Sequence, residues 1–191
     1  MLSNHLTIGT KILGLSALIN SGRPGFDGCY RIVSIGSTKA LEFFDRAPGS
    51  GECAVKILPY RPGKVASQPI AGGDVISGEF TGCVMATYND GQALFAAHVD
   101  TNKDTSQRDA WNTQKGGSGM QVVSEVDTTG KLQQEHGNGA VILCVSDSAG
   151  AVTYHHVSKQ RHEYSFSKQK DSPFTDRKFD TLYTVIPSGG Y

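Results

Sequence analysis

Charge imbalance is the first thing this sequence lacks. Eighteen Lys and Arg residues are matched by eighteen Asp and Glu, leaving no net charge at neutral pH. Without excess positive charge there is no general attraction to nucleic acid or to an anionic membrane, and neither is expected as a partner. Long apolar runs are missing too, so no bilayer-spanning helix is expected. The nearest approach, "KILGLSALIN" at 11–20, follows a polar start without a basic leader or a small-residue cleavage pattern. It reads as a core helix or strand rather than a signal peptide. No Asn-x-Ser/Thr glycosylation acceptor occurs. The four cysteines, Cys29, Cys53, Cys83 and Cys144, form no CxxC pair and follow no regular spacing. Reduced thiols and a cytosolic workplace are expected rather than a disulfide framework.

Recognisable ligand and phosphate motifs are equally scarce. His155, His156 and His162 lie close together in "TYHHVSKQRHEY". Adjacent histidines on a strand point to opposite faces, and no Asp, Glu or Cys completes a ligand spacing, so no metal is expected. His136, in "EHGNG", reads as a loop residue. "GGSG" at 116–119 lacks the trailing Lys-Ser/Thr of a phosphate loop and reads as a connector. There is no GxSxG elbow and no HExxH, and no cofactor is expected.

What is present is glycine, 23 residues of it, punctuating short apolar runs in the manner of turns between strands. Candidate strands are 30–35, 40–44, 53–58, 140–146, 152–158, 163–167 and 181–186, together with two arms inside 77–102. "DSAGA" predicts a hairpin between the 140s and 150s. "TSQRDAWNTQK" at 105–115 predicts a helix capped by Thr105 and stopped by the glycines that follow, with residues 10–20 as a second candidate. "MQVVSEV" at 120–126 fits neither period cleanly. The pieces do not alternate as β-α-β, which disfavours a doubly wound sheet. The expected architecture is α+β, a mixed β-sheet sandwich with flanking helices, in one domain over residues 1–191.

The stretch "SGEFTGCVMATYNDGQALFAAHVDTN" at 77–102 concentrates the chemistry. Cys83 and His98 are fifteen positions apart with Asp90-Gly91 between them. If Asp90-Gly91 forms a two-residue hairpin turn, opposed residues sum to 181 and Cys83 lies directly opposite His98. A three-residue loop would send the two to opposite faces. Both arms are apolar on both faces, with Met85, Leu94 and Ala96 on the Cys/His side and Val84, Ala86, Phe95 and Ala97 on the other. Such a hairpin belongs inside a sheet covered on both sides. A thiol beside an imidazole is a ready nucleophile, since imidazolium stabilises thiolate and lowers the thiol pKa. Gly82 leaves room for a substrate and for backbone amides to approach an oxyanion. Each residue taken alone reads more plainly as core packing.

"SGEFTGC" followed by that histidine resembles the catalytic core of glutamine deamidase toxins of the cytotoxic necrotizing factor and Burkholderia lethal factor type, and of the chemoreceptor deamidase CheD. The resemblance spans about 25 residues. It places Phe80-Thr81-Gly82-Cys83 where those toxins carry Leu-Ser-Gly-Cys. It implies a catalytic Cys and His on adjacent antiparallel strands, with Cys83 as nucleophile and His98 as base and acid. Backbone amides at Gly82 and Cys83 would form the oxyanion site. In the relatives a threonine about six residues before the cysteine, or a backbone carbonyl, orients the histidine. Ser77 is the favoured counterpart here, with Asp100 and a backbone carbonyl as rivals.

The implied protein is a monomeric effector, secreted from a bacterium and acting in the host cytosol. It would convert a glutamine of a host protein, a small GTPase or a translation-initiation helicase, to glutamate. A CheD-like housekeeping deamidase and a non-enzymatic β-rich binding module are the alternatives. Target choice is expected from the loops at 61–74 and 100–109, and Trp111 is expected to be a packing anchor.

Overall fold

The structure, a computed structural model, describes all residues except 72, 102–105, 118, 133–139, 168–174 and 189–191, with backbone only for 162–167 and 175–180. His136, the cap candidate Thr105 and the His162 side chain lie outside the described residues.

The chain is strand-rich. After a 3-10 turn at Leu2–His5 come β1 (Lys11–Leu13), α1 (Leu15–Ile19), β2 (Phe26–Ile35), β3 (Thr38–Phe44), β4 (Cys53–Leu58), β5 (Val65–Pro69) and β6 (Val75–Phe80). Then follow β7 (Val84–Asn89), β8 (Leu94–Val99), α2 (Ser106–Gly116), β9 (Gln121–Asp127), β10 (Ala140–Ser146), β11 (Val152–Ser167) and β12 (Thr175–Val185). Eight strands close into a barrel in the order β1-β12-β11-β10-β6-β4-β2-β3, and four form a second sheet, β5-β8-β7-β9. The barrel is mixed, with parallel pairs β1/β3 and β4/β6 among antiparallel neighbours. The fold is β-rich with few helices, compatible with the expected α+β class, and a closed barrel with an added four-stranded sheet stands where a sandwich was expected. Closure comes from β1, a three-residue strand that bridges β3 and β12 and was hidden in the expected helix at 10–20.

β10 shows why the two sheets stack. Its sequence "AVILCVS" is apolar without alternation, as befits a strand covered on both sides. Val141, Leu143 and Val145 point into the barrel core, while Ile142 and Cys144 join Phe80, Cys83, Met85 and Ala96 in a cluster between barrel and second sheet. On the far side of that sheet, Val84, Ala86, Ala97 and Val99 pack under Trp111 of α2. The hairpin arms are therefore covered on both sides, with the face assignments expected from the sequence. The predicted β10–β11 hairpin is present, its turn held by Asp147 Oδ1 accepting the Ala149 and Ala151 N–H groups, each at 2.9 Å.

Two further corrections concern the presumed target-choice loops. The stretch 61–74 contains β5, paired antiparallel with β8, and the end of 100–109 lies in α2. No helix among the described residues is long and apolar enough to cross a membrane.

Candidate active site

Register is the first matter to settle. In β7 and β8, Val84 pairs with Val99, Met85 with His98 and Asn89 with Leu94. Opposed residues sum to 183, so His98 faces Met85, and continuing the ladder by one residue sets Cys83 against Asp100. The expected direct Cys83–His98 opposition is corrected to a diagonal one. Asp90 explains the shift. It precedes the turn instead of occupying its centre, with Oδ1 accepting the N–H groups of Gln92 and Ala93 at 2.9 Å each. Gly91, at φ +92°, then takes the first central position. A slip of two residues preserves sidedness, so Cys83 and His98 still share a face. Diagonal neighbours of this kind have backbones roughly 7–8 Å apart, within reach of long side chains.

Ser77 meets His98 because of a bulge. β6 pairs with β10 through Ser77–Cys144 and Phe80–Ile142, three residues against two. That extra residue brings Ser77 and Phe80, which strict alternation would separate, onto the same side. The Ser77 hydroxyl lies 2.9 Å from His98 Nδ1, and the Phe80 ring stacks on the imidazole with centroids 4.0 Å apart. Tyr60 contacts the same imidazole at 5.4 Å between centroids. Phe80, a departure from the toxin motif, thus packs directly against the histidine.

The hydrogen-bond network assigns the tautomer. Ser77 Oγ donates its one proton to the Leu58 carbonyl at 2.7 Å, so it must accept from His98 Nδ1–H. A neutral imidazole then carries its lone pair on Nε2. That atom is buried without a hydrogen-bond partner among the described residues. His98 is 1% exposed, and burial pushes its pKa down to about 3 against an opposing pull from Asp100. At neutral pH the imidazole is uncharged, with its base nitrogen fixed.

Cys83 is fully buried immediately before β7. Its carbonyl accepts the Thr128 N–H at 3.1 Å and the Thr128 hydroxyl at 2.7 Å. The Gly82 carbonyl accepts from Thr101 Oγ1 at 2.5 Å and from Arg108 Nη2 and Thr129 Oγ1 at 3.1 Å each. Gly82 itself, at φ +154°, has nothing within 4 Å of where a Cβ would stand, so its Cα side is open. Cys83 Sγ donates to Asp100 Oδ1 across 3.8 Å, a distance at which only a thiol forms a weak bond. Burial raises the thiol pKa first, and the Asp100 charge adds to it, while the Thr101 N–H and hydroxyl pull the other way. Burial disfavours a second proton on His98, and the charge nearest the thiol is negative, so the resting site favours neutral thiol and neutral imidazole over the thiolate–imidazolium pair expected from the sequence.

The clamp of Thr101, Arg108, Thr128 and Thr129 escaped sequence reading because it gathers three threonines and an arginine from three separate segments onto one dipeptide. Elsewhere, His155 is half-buried and His156 buried on β11, and the described residues contain no cluster of three potential metal ligands. A cavity of about 300 Å³ lies away from Cys83, between Asp27, Pro48, Lys56 and Gly73. No family model matches the chain, and no curated protein matches it in sequence.

Proposed function

We propose that the protein is a cysteine hydrolase that converts a glutamine side chain of a protein substrate to glutamate. The observation that carries this reading is the Ser77–His98 contact. It leaves a neutral histidine, its Nε2 lone pair without a partner among the described residues, on the sheet face that also bears Cys83. As substrate enters, Nε2 takes the Cys83 thiol proton, directly or through one water, and sulfur bonds to the carboxamide carbon while the C=O electron pair moves onto oxygen. The Gly82–Cys83 backbone amides are assigned to that oxyanion. Collapse breaks the C–N bond, and His98 returns its proton to the departing ammonia. Water then attacks the thioester, His98 accepts its proton and passes it to the leaving sulfur, and glutamate is released.

Starting from neutral thiol and neutral imidazole suits the burial of the site, because charge is created only when substrate is present. Full burial of Cys83 requires its cover to part when the substrate side chain enters. Burial also favours a second reading, in which Cys83 and His98 only pack inside a binding module. Against it stands the placing of a thiol on the same sheet face as an imidazole whose Nδ1 is held by Ser77 and whose Nε2 has no partner among the described residues. By resemblance the substrate is a host GTPase or a translation-initiation helicase, and the protein a secreted effector.

Incubating the protein and a Cys83→Ser variant with host-cell lysate tests the reading. Glutamine peptides should gain the mass of amide-to-acid conversion, with matching ammonia release, only in the wild-type sample. Equal conversion in both samples, or none in either, would overturn it.

A further inference from the structure

Asp100 has no part in the steps above, yet it is the side chain set against the nucleophile. It is 3% exposed. Oδ2 accepts the Gly63 N–H at 2.6 Å, and the Asp100 N–H bonds to the Lys64 carbonyl at 3.3 Å, so the turn before β5 pins the carboxylate. Oδ1 faces Cys83 Sγ at 3.8 Å. The sequence alone offered Asp100 as a rival for orienting His98; that contact is made by Ser77. A second feature marks the place as a site: His98 Nε2, on a side chain 99% removed from solvent by its 1% exposure, has no partner among the described residues.

The negative charge of the pinned carboxylate opposes thiolate formation. Its positive use lies with the substrate. When the thiol proton leaves for His98, Oδ1 loses the S–H donor at the moment a carbonyl carbon arrives at sulfur. A primary carboxamide carries an N–H donor on that carbon; an ester carries none, and a carboxylate adds a second negative charge.

Building on the reading of Cys83 as nucleophile, we infer that Asp100 is the amide-selecting residue of this site, accepting an N–H from a primary carboxamide bound at Cys83 and turning away carboxylates. The same contact disfavours the glutamate product and so promotes its release.

Alkylating agents test this without knowledge of the target protein. Iodoacetamide, iodoacetate and N,N-dimethyl-iodoacetamide lose the same iodide to a thiolate but present an amide N–H donor, a carboxylate and an amide without a donor. Rates at Cys83 are read by peptide mass spectrometry, with the exposed Cys53 in the same molecule as the reference thiol. In the wild type the preference for iodoacetamide over either other reagent should exceed that at Cys53 by about tenfold, the scale of one charge-assisted hydrogen bond. Asp100→Asn, which keeps an acceptor for Gly63, should bring the Cys83 preference over iodoacetate close to the Cys53 value.

Equal preferences at Cys83 and Cys53 in the wild type would overturn the inference, and that comparison needs no variant to fold. So would an Asp100→Asn preference unchanged from wild type. The selectivity present without glutamine conversion in lysate would overturn the hydrolase reading and leave the Asp100 contact standing. Conversion without the selectivity would do the reverse.

Discussion

Cys83 and Cys144 are both fully buried, belong to one apolar cluster, and have thiol pKa values raised by burial. They differ in what surrounds them. Cys144 sits in mid-strand on β10, with Leu143 and Val145 on either side, paired with Ser77 and Tyr154 on the two neighbouring strands. Cys83 stands at a strand end, behind a glycine whose Cα side is open, with a carboxylate at 3.8 Å and a four-residue polar clamp on the Gly82 and Cys83 carbonyls. Burial sets the direction of both thiol pKa values; polar contacts and approach separate a candidate nucleophile from a packing residue.

That contrast can be broken by experiment. The largest effect expected is on activity: Cys83→Ser should lose glutamine conversion by a factor on the order of 10³ or more, as removal of a nucleophile does. Cys144→Ala should stay within about threefold of wild-type activity, because its thiol makes no hydrogen bond among the described residues. A large loss from Cys144→Ala, measured alongside a melting curve that shows a folded protein, would erase the distinction.

Ser77→Ala comes next. It strips the acceptor from His98 Nδ1 and the donor from the Leu58 carbonyl. Conversion should fall about a hundredfold from loss of the fixed tautomer, and stability by about 1–3 kcal/mol from the orphaned buried groups. Nitrogen NMR of His98 reads the tautomer directly, and an unchanged spectrum in the variant would refute the assignment.

A smaller effect follows from pH. An unfolded histidine binds a proton near pH 6.5, whereas His98 in the folded protein binds one only near 3. Between those values the unfolded state holds more protons, so folding stability declines as pH falls through this window. The slope is about 1.4 kcal/mol per pH unit from this residue alone. Denaturant unfolding at pH 7, 6 and 5 in wild type and His98→Gln checks it, since the variant should lack that share of the slope.

Much of this arrangement was legible in the sequence because it depends on parity. The faces of the 84–99 hairpin were readable from alternation, and they survived a register error because the true sum, 183, is odd like the expected 181. The error arose from Asp90, whose side chain was free to bond amides ahead of the turn rather than sit within it. Ser77 was nominated by its place before the cysteine. The bulge that turns both it and Phe80 toward His98 was not legible, because it is set by pairing with a strand more than sixty residues away. Barrel closure was hidden for a similar reason: β1 is three residues long, too short for periodicity, and gains its identity from partners on both sides. The resting protonation state was missed because it depends on total burial, and proximity of thiol and imidazole alone suggests an ion pair.

The most direct measurement of the central claim is the rate of iodoacetamide reaction at Cys83 across pH in wild type and in His98→Ala, with Cys53 as the internal reference. A midpoint above the ordinary thiol value of about 8.5 is expected. At neutral pH the Cys83 rate should fall about tenfold in His98→Ala, as loss of a general base requires, while Cys53 is unchanged. A Cys83 rate that is the same in both proteins would contradict the pairing of thiol and histidine on which the proposed chemistry stands.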